Sequence, residues 1–192
     1  NIGFRIFVTT LTTFFIIFLS TAVMIAIPTI SNEFGMSNIV QNWINTIYLL
    51  AIVVFTIPAG QISAKYGLKK TMVIGLIVFT ITSAIIMFSS SQDMFLILRI
   101  FQAIGASFLT VASTALLVSA FKAENRGKAL GINVIGIFLA ACLSPIIGGF
   151  LNNSYGWRSI FLVTLPFLVV CLILLITKIN KEWKTLEDVS ID

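Results

Sequence analysis

Six long runs without a charged residue constrain the fold of this 192-residue sequence more than any other feature. A helix needs roughly 20 residues, most of them apolar, to cross the hydrocarbon layer of a bilayer, and each run has about that length or more. The sequence therefore predicts an all-α, polytopic membrane protein with six transmembrane helices. We expect these helices near residues 6–29, 40–63, 71–90, 94–120, 128–150 and 159–178.

The rest of the composition disfavours several classes of protein. Charged residues make up 10% of the sequence, whereas soluble domains carry about 25%. The net charge is +5, but the cations lie in short loops, so membrane topology explains them better than nucleic-acid binding. The sequence has no His and no carboxylate cluster, and Cys142 and Cys171 lie in apolar runs without metal-ligand spacing. We expect no enzymatic site, no metal and no cofactor.

Loop charges predict the orientation in the membrane. The loops on one side carry Glu33, Asp93 and Arg158. Because cytoplasmic loops are enriched in Lys and Arg, the opposite side is predicted to be the cytoplasm. Both termini then lie in the cytoplasm, and we expect a multi-pass protein of the cell membrane. The predicted cytoplasmic cations are Arg5, Lys65, Lys69, Lys70, Lys122, Arg126, Lys128, Lys178, Lys181 and Lys184.

The stretch Pro58–Lys70, predicted to be a basic turn between the second and third helices, belongs to an internal repeat. Its pattern returns 89 residues later, across three predicted helices. The two copies therefore have opposite orientation, which predicts two inverted three-helix repeats. Secondary transporters use this plan and place their substrate site near the midplane between repeats. The matched residues are Gly60 and Gly149, Tyr66 and Tyr155, Gly67 and Gly156, and Lys69 and Arg158.

The predicted helices differ in polarity. The fourth contains many polar residues, whereas the third and sixth are mainly Ile, Leu, Val and Phe, as expected of lipid-facing helices. The fifth sets Gly136, Ala140, Ser144 and Gly148 four residues apart, which lets another helix approach closely. Pro145 interrupts this stripe and is expected to bend the helix. Helices one, two, four and five are candidates for a central cavity, although plain helix packing explains the stripe equally well.

Two short motifs lie in the second loop and in the fourth helix. They consist of Gly60, Lys65, Gly67, Lys69 and Lys70 in the loop, and of Arg99, Gln102 and Gly105 in the helix. They resemble two signatures of the major facilitator superfamily, Gly-x-x-x-Asp-Arg/Lys-x-Gly-Arg/Lys and Arg-x-x-Gln-Gly-x-Gly. Ala64 stands at the acidic position of the first signature, and Leu68 displaces the following cations by one. Ala103 replaces the first Gly of the second signature.

A third motif resembles the antiporter signature, a series of glycines that ends Gly-Pro-x-x-Gly-Gly. It consists of Gly131, Pro145, Gly148 and Gly149, with Ala140 and Ser144 as small replacements for two glycines. The following Gly-Trp-Arg at residues 156–158 is similar to the start of helix six in the fourteen-span drug:proton antiporter branch.

The resemblance implies the N-terminal six-helix half of a proton-coupled efflux transporter, from a prokaryote, that works by alternating access on a small-molecule substrate. The expected partners are the lipid bilayer and a second half of six or eight helices, in the same chain or separate. Residues 179–192 would form a cytoplasmic tail or a linker to that half. The loop Gly60–Lys70 would act as a gating latch between the two halves.

Leu19 departs from the pattern of the branch. Members usually carry an Asp nine residues before the Pro that ends helix one, and Leu19 stands at that distance from Pro28, while Thr21 and Ala26 fit the pattern. The resemblance gives that carboxylate a role in cation recognition or proton coupling. Its absence predicts that the proton-carrying carboxylate lies outside this sequence.

Arg99 is the one charge well inside a predicted span. Three interpretations stay open. Arg99 extends to the outer surface, or it forms a structural hub with Gln102, Asn45 or carbonyl groups, or it acts in coupling and substrate binding. In the third case the candidates for the coupling site and substrate cavity are Arg99, Gln102, Gly105 and Asn45. Arginine stays protonated in proteins, so it would hold an anion rather than carry the proton. The alternatives for the whole chain are an importer or symporter of the same superfamily, and a non-transporting membrane scaffold or receptor.

Overall fold

The computed structural model describes residues 2–121 and 123–178, which form six long α-helices and one short 3-10 turn, Ala123–Asn125. All six helices are long and apolar enough to cross a membrane, and the described residues contain no strand. The predicted all-α fold with six spans is therefore confirmed. The helices are α1 Ile2–Phe34, α2 Asn38–Tyr66, α3 Leu68–Ile86, α4 Gln92–Ala120, α5 Arg126–Tyr155 and α6 Arg158–Lys178.

All six helices begin earlier than the sequence indicates, and α1, α2 and α5 also end later. Five of the predicted ranges lie inside observed helices, while the third helix ends at Ile86 rather than near residue 90. The prediction that Pro58–Lys70 form a turn is wrong for all but one residue, because α2 continues to Tyr66 and α3 begins at Leu68. The predicted tail or linker, residues 179–192, lies outside the described residues, as does Lys122.

Two glycines end helices in the same conformation at matching points of the repeat. Gly67 has φ 98° and ψ 152°, and its N–H donates to the carbonyl of Ser63 at 3.0 Å. Gly156 has φ 83° and ψ 164°, and its N–H donates to the carbonyl of Asn152 at 3.1 Å. Only glycine adopts this backbone region readily. In both places the next helix begins one or two residues later, which allows a sharp reversal of direction.

Helix packing follows the inverted repeat in most pairs. Helix α1 packs along α5 just as α4 packs along α2, α3 contacts α6, and the pairs α2 with α3 and α5 with α6 contact each other to a similar extent. Helix α3 packs along α4 more extensively than the equivalent pair of α6 and α1. The fold is thus two inverted three-helix units, α1–α3 and α4–α6, which exchange helices to form one bundle.

Helix α5 contacts α1 through the stripe of small residues. A Cβ atom added at Gly148 would lie 2.8 Å from the Cβ of Ala22, and one added at Gly136 would lie 2.5 Å from Cγ2 of Thr10. The Ser144 hydroxyl donates to the carbonyl of Phe18 at 2.8 Å. Small residues allow this separation because a larger side chain would push the two backbones apart.

Helix α3 buries one face and exposes the other. The buried face meets α4 at Gly105, where an added Cβ would lie 2.7 Å from the backbone N of Phe79. The exposed face carries Ile74, Ile77, Ile81 and Ile85, spaced three or four residues apart. The sequence therefore indicates the apolar outer face of α3 correctly, but it does not reveal that half of the helix packs closely against α4.

Candidate functional site

Arg99 lies in the interior of the bundle and stacks on Tyr48. Only 1% of Arg99 and 1% of Tyr48 is exposed. The guanidinium carbon lies 4.0 Å from the centre of the Tyr48 ring, so α4 and α2 meet through a cation–π contact. The side chain is therefore held against α2 and does not extend to the surface.

Gln102 connects Arg99 to α3. Nη1 of Arg99 donates to Oε1 of Gln102 at 2.6 Å, and Nε2 of Gln102 donates to Oγ of Ser83 at 2.8 Å. The Ser83 hydroxyl in turn donates to the carbonyl of Phe79 at 2.6 Å. The structure thus brings residues of α2, α3 and α4 into one buried polar network.

Two donors of Arg99 lack a hydrogen-bond partner. Within the described residues, its Nε and Nη2 are buried and unpartnered. The spans contain no Asp or Glu between Glu33 and Asp93 or between Asp93 and Glu124. A buried charge without a counter-charge is destabilising by several kcal/mol. Arg99 is therefore a buried cation with two unpartnered donors, and the sequence between residues 34 and 92 and between residues 94 and 123 supplies no carboxylate for it.

Asn45 and Gly105, the two other candidates for the cavity, lie apart from this network. Asn45 is half-buried one turn before Tyr48, and it forms no side-chain hydrogen bond within the described part of the chain. Gly105 faces the backbone of α3 at Phe79. The structure therefore places Gly105 in the contact between α3 and α4.

The loop candidates surround the junction between α2 and α3. Gly60 is half-buried with open space around it, and Nζ of Lys65 lies 5.2 Å above the ring of Tyr66. Gly67 forms the reversal, and Lys69 and Lys70 lie in the first turn of α3. The cations are thus grouped at one end of the bundle, on two consecutive helices.

The antiporter-motif residues divide between two faces of α5. Ala140 is buried, Ser144 and Gly148 are buried against α1, and Gly131 and Pro145 are exposed. Helix α5 continues through Pro145. Gly149 is half-buried, and a Cβ added there would lie 3.9 Å from Cγ2 of Ile25, an ordinary contact distance.

Sequence reasoning missed a clasp at the opposite end of the bundle, formed by Glu33, Trp157 and Arg158. Glu33 accepts from Nε1 of Trp157 and from Nη1 of Arg158, each at 2.6 Å. Arg158 also donates from Nε to the carbonyl of Met87 at 2.8 Å and from Nη2 to that of Ser89 at 3.0 Å. The clasp joins α1, the start of α6 and the α3–α4 connection. The opposite charges of Glu33 and Arg158 on the same predicted side were the available signal.

Sequence comparison places this bundle in a family. A family model for the Major Facilitator Superfamily matches residues 9–188. The chain belongs to the major facilitator superfamily.

The chain is 31% identical over 150 residues to the riboflavin transporter RibZ of Clostridioides difficile, covering 78% of this chain and 33% of that protein. It is 34% identical over 149 residues to the tetracenomycin C resistance and export protein of Streptomyces glaucescens, and this match covers 77% of this chain and 27% of that protein. It is also 32% identical over 165 residues to the multidrug resistance protein Stp of Mycobacterium tuberculosis, and this match covers 82% of this chain and 31% of that protein.

Solved transporter structures share the fold of this superfamily member. The proton:xylose symporter XylE superposes with a TM-score of 0.81 at 19% identity, covering 92% of this chain and 44% of that one. A bacterial homolog of the human lysosomal transporter Spinster superposes with a TM-score of 0.82 at 19% identity, covering 96% of this chain and 44% of that one. The chain spans about a third of the length of the curated relatives it matches.

Proposed function

We propose that this chain is the N-terminal bundle of a proton-coupled efflux transporter that moves a small molecule by alternating access. The observation that carries the proposal is the buried Arg99, whose Nε and Nη2 lack partners. The names of two relatives, a tetracenomycin C export protein and a multidrug resistance protein, support efflux. In this mechanism the bundle rocks against a second, similar bundle around a midplane cavity.

Arg99 has the role of an anion holder in this mechanism. An arginine stays protonated, so it cannot carry the proton itself. Its planar guanidinium can hold a carboxylate in a bidentate manner and favours the ionised form of an acid within about 4–6 Å. Tyr48 orients the guanidinium by stacking, and Gln102 holds Nη1, so Nε and Nη2 remain for the anion.

The titrating carboxylate comes from a second half of six or eight helices. Leu19, at the position where the antiporter branch usually carries an Asp, is fully buried in the apolar core. When the carboxylate of the second half takes up a proton, its attraction to Arg99 falls, and the two bundles are free to rearrange. The Gly60–Lys70 segment forms the latch between the halves at the end where the cations cluster. By the positive-inside rule that end faces the cytoplasm, in a prokaryotic cell membrane with both termini inside.

A second candidate is uptake or symport of a vitamin-like solute, because the riboflavin transporter RibZ is also a relative. A flux measurement separates the two candidates. Proteoliposomes that contain the chain with its second half are loaded with riboflavin or with a cationic dye, and a proton gradient of either sign is imposed. Efflux predicts solute movement opposite to the proton flow. Movement of solute with the protons favours symport, and an absence of gradient-dependent flux for a broad panel of solutes contradicts both.

A further inference from the structure

The buried hydrogen-bond chain from Arg99 to α3 has a fixed direction. A guanidinium can only donate, so Gln102 must face Arg99 with Oε1, as it does at 2.6 Å. The carbonyl of Phe79 at the other end can only accept, so the Ser83 hydroxyl gives it its one proton, at 2.6 Å. The Ser83 oxygen then accepts from Nε2 of Gln102 at 2.8 Å. Both ends of the chain thus impose the same orientation on the Gln102 amide.

The close approach of α4 to α3 at Gly105 makes this chain possible. A Cβ added at Gly105 would lie 2.7 Å from the backbone N of Phe79 and 3.0 Å from its Cα. Gln102 lies one turn before Gly105 on the same face of α4, and Ser83 lies one turn after Phe79 on α3. The helix contact therefore brings the side chains of Gln102 and Ser83 together, and both are at most 1% exposed.

The two unpartnered nitrogens of Arg99 lie on one edge of its guanidinium. Nε and Nη2 carry the parallel N–H bonds that can bind a carboxylate with two hydrogen bonds. Nη1 is bound to Gln102, and the Tyr48 ring covers one face, 4.0 Å from the guanidinium carbon. Holding Nη1 and one face fixes the direction in which the Nε–Nη2 edge points.

We propose that Ser83 is a positioning residue for Arg99. Through the Gln102 amide it holds Nη1, and so it keeps the Nε–Nη2 edge open to the carboxylate of the second half. This inference rests on the proposed function, because it assigns the residue that prepares Arg99 for that carboxylate. It also gives α3, which the sequence indicates as a lipid-facing helix, a part in the coupling site.

Loss of the Ser83 hydroxyl would release the Gln102 amide. Nε2 would become a buried donor without a partner, so the amide would turn toward another acceptor. Its Oε1 would then leave Nη1 of Arg99, and the guanidinium would lose its fixed direction. Because a cation within about 4–6 Å favours the ionised form of a carboxyl group, a displaced Arg99 raises the pKa of the carboxylate in the second half.

The surroundings of Arg99 offer few other groups that could titrate. Tyr48 of α2 is the titratable side chain that faces it. The charged residues of α1, α2, α3 and α5 all lie in the first or last turn of their helices, and Asp93 lies in the first turn of α4. A change in the pH dependence of flux that follows a change at Ser83 therefore reports on the carboxylate of the second half.

The pH dependence of proton-driven flux tests this proposal. The chain joined to the proposed second half is reconstituted, and the flux of each variant is normalised to its own maximum. We expect Ser83→Ala to raise the pH midpoint by about 1, because a nearby cation lowers a carboxyl pKa by about 1–3 and this variant displaces Arg99 without removing its charge. Ser83→Thr should keep the wild-type midpoint, because a Thr hydroxyl on α3 can donate to the preceding turn, as Thr71 does.

A double-mutant cycle with Gln102→Met separates positioning from packing. Gln102→Met should raise the midpoint as Ser83→Ala does, and adding Ser83→Ala to it should cause no further shift. Thr82→Val is the matched control. It removes a buried hydroxyl of α3 whose hydrogen bonds stay within the helix, to the carbonyls of Val78 at 2.6 Å and Phe79 at 3.1 Å. This variant should keep the wild-type midpoint.

The outcomes separate this proposal from the proposed function. An unshifted midpoint in Ser83→Ala, together with a raised midpoint in Arg99→Lys, would overturn the positioning role and leave the proposed function standing. An unshifted midpoint in both variants would contradict the proposed function as well. A further shift from Ser83→Ala in the Gln102→Met background, or an equal shift in Thr82→Val, would also overturn the positioning role, since the effect would then arise from packing.

Discussion

At the scale of single residues, Arg99 combines full burial with an incomplete set of partners. Nη1 is bound by Gln102 and the guanidinium face by Tyr48, while Nε and Nη2 have no partner in the described residues. A purely structural arginine would be expected to satisfy its donors within its own bundle, since an unpartnered buried donor costs about 1–3 kcal/mol. The two unpartnered donors of Arg99, Nε and Nη2, are therefore the feature on which the functional proposal depends.

Arg99→Lys should impair transport although it conserves the charge. Lysine lacks the planar fork that can hold a carboxylate while stacking on Tyr48. Hydrogen bonds to charged groups contribute about 1.5–3 kcal/mol, so we expect proton-driven flux to fall about tenfold or more. Arg126→Lys, far from the network, should transport at the wild-type rate. Wild-type rates in both Arg99→Lys and Arg99→Leu would rule out a functional role for this side chain.

The pair of Glu33 and Arg158 should stabilise the fold modestly. Their side chains are each 40% exposed, so solvent screening limits the contribution of the ion pair to about 1 kcal/mol or less. A double-mutant cycle with Glu33→Gln and Arg158→Gln, followed by chemical unfolding in detergent, measures their coupling free energy. We expect a positive coupling that falls at high salt. Strictly additive effects of the two substitutions would show that the clasp contributes nothing to stability.

At residue scale the sequence revealed part of the site. Arg99 and Gln102 are three residues apart on one helix, so their contact follows from helical geometry. Tyr48 and Ser83 lie on other helices, and no local pattern identifies them as partners of Arg99. The same holds for Glu33 and Arg158, which meet across 125 residues. These contacts depend on how the helices pack, which a single sequence does not specify.

At the scale of elements, α5 depends on its close contact with α1. The helix buries only Ala129, Asn133, Gly136, Ala140, Ser144 and Gly148. A contact this narrow tolerates little change in side-chain volume, because Gly136, Ser144 and Gly148 meet the backbone or small side chains of α1.

Gly148 and Gly149 offer a matched test of that contact. A Cβ at Gly148 would lie 2.8 Å from the Cβ of Ala22, so Gly148→Ala should lower the free energy of unfolding by about 1–3 kcal/mol. Gly149 has room for a Cβ, so Gly149→Ala should raise the free energy of unfolding by about 0.5–1 kcal/mol, because Ala has a higher helix propensity than Gly. Unfolding titrations in detergent measure both values. A Gly148→Ala variant as stable as Gly149→Ala would contradict the close α1–α5 packing.

The positions of the six helices could be predicted from the uncharged runs of the sequence, but the residues at which the helices begin and end could not. Lys65, Lys69 and Lys70 were interpreted as a turn because charge interrupts the apolar pattern. Long cationic side chains can nevertheless extend from a helix end to the membrane surface without unwinding the helix. The residue that ends α2 is Gly67, because its φ of 98° is a conformation that other residues adopt only with strain. In this chain the backbone preference of one glycine, rather than local charge, sets the boundary.

At the scale of the whole molecule, the six described helices form one bundle built from an inverted repeat. The repeat explains the matched junctions at Gly67 and Gly156. It does not supply an acidic partner for Arg99. The six spans could be predicted from the sequence because burial in lipid demands a strong apolar signal. That the proton-carrying carboxylate lies outside this sequence stays a prediction, which rests on Leu19 and on the absence of Asp and Glu from residues 34–92 and 94–123.

The most direct test of this account is proton-driven flux from this bundle alone and from the bundle joined to the proposed second half. Both are reconstituted at equal density in vesicles with an imposed proton gradient, after circular dichroism has verified their helix content. We expect helical but inactive protein for residues 1–192 alone, because no carboxylate within the spans can take up a proton beside Arg99. Flux should appear when the second half is supplied in the same chain or co-expressed. Robust proton-coupled flux from residues 1–192 alone would contradict the account.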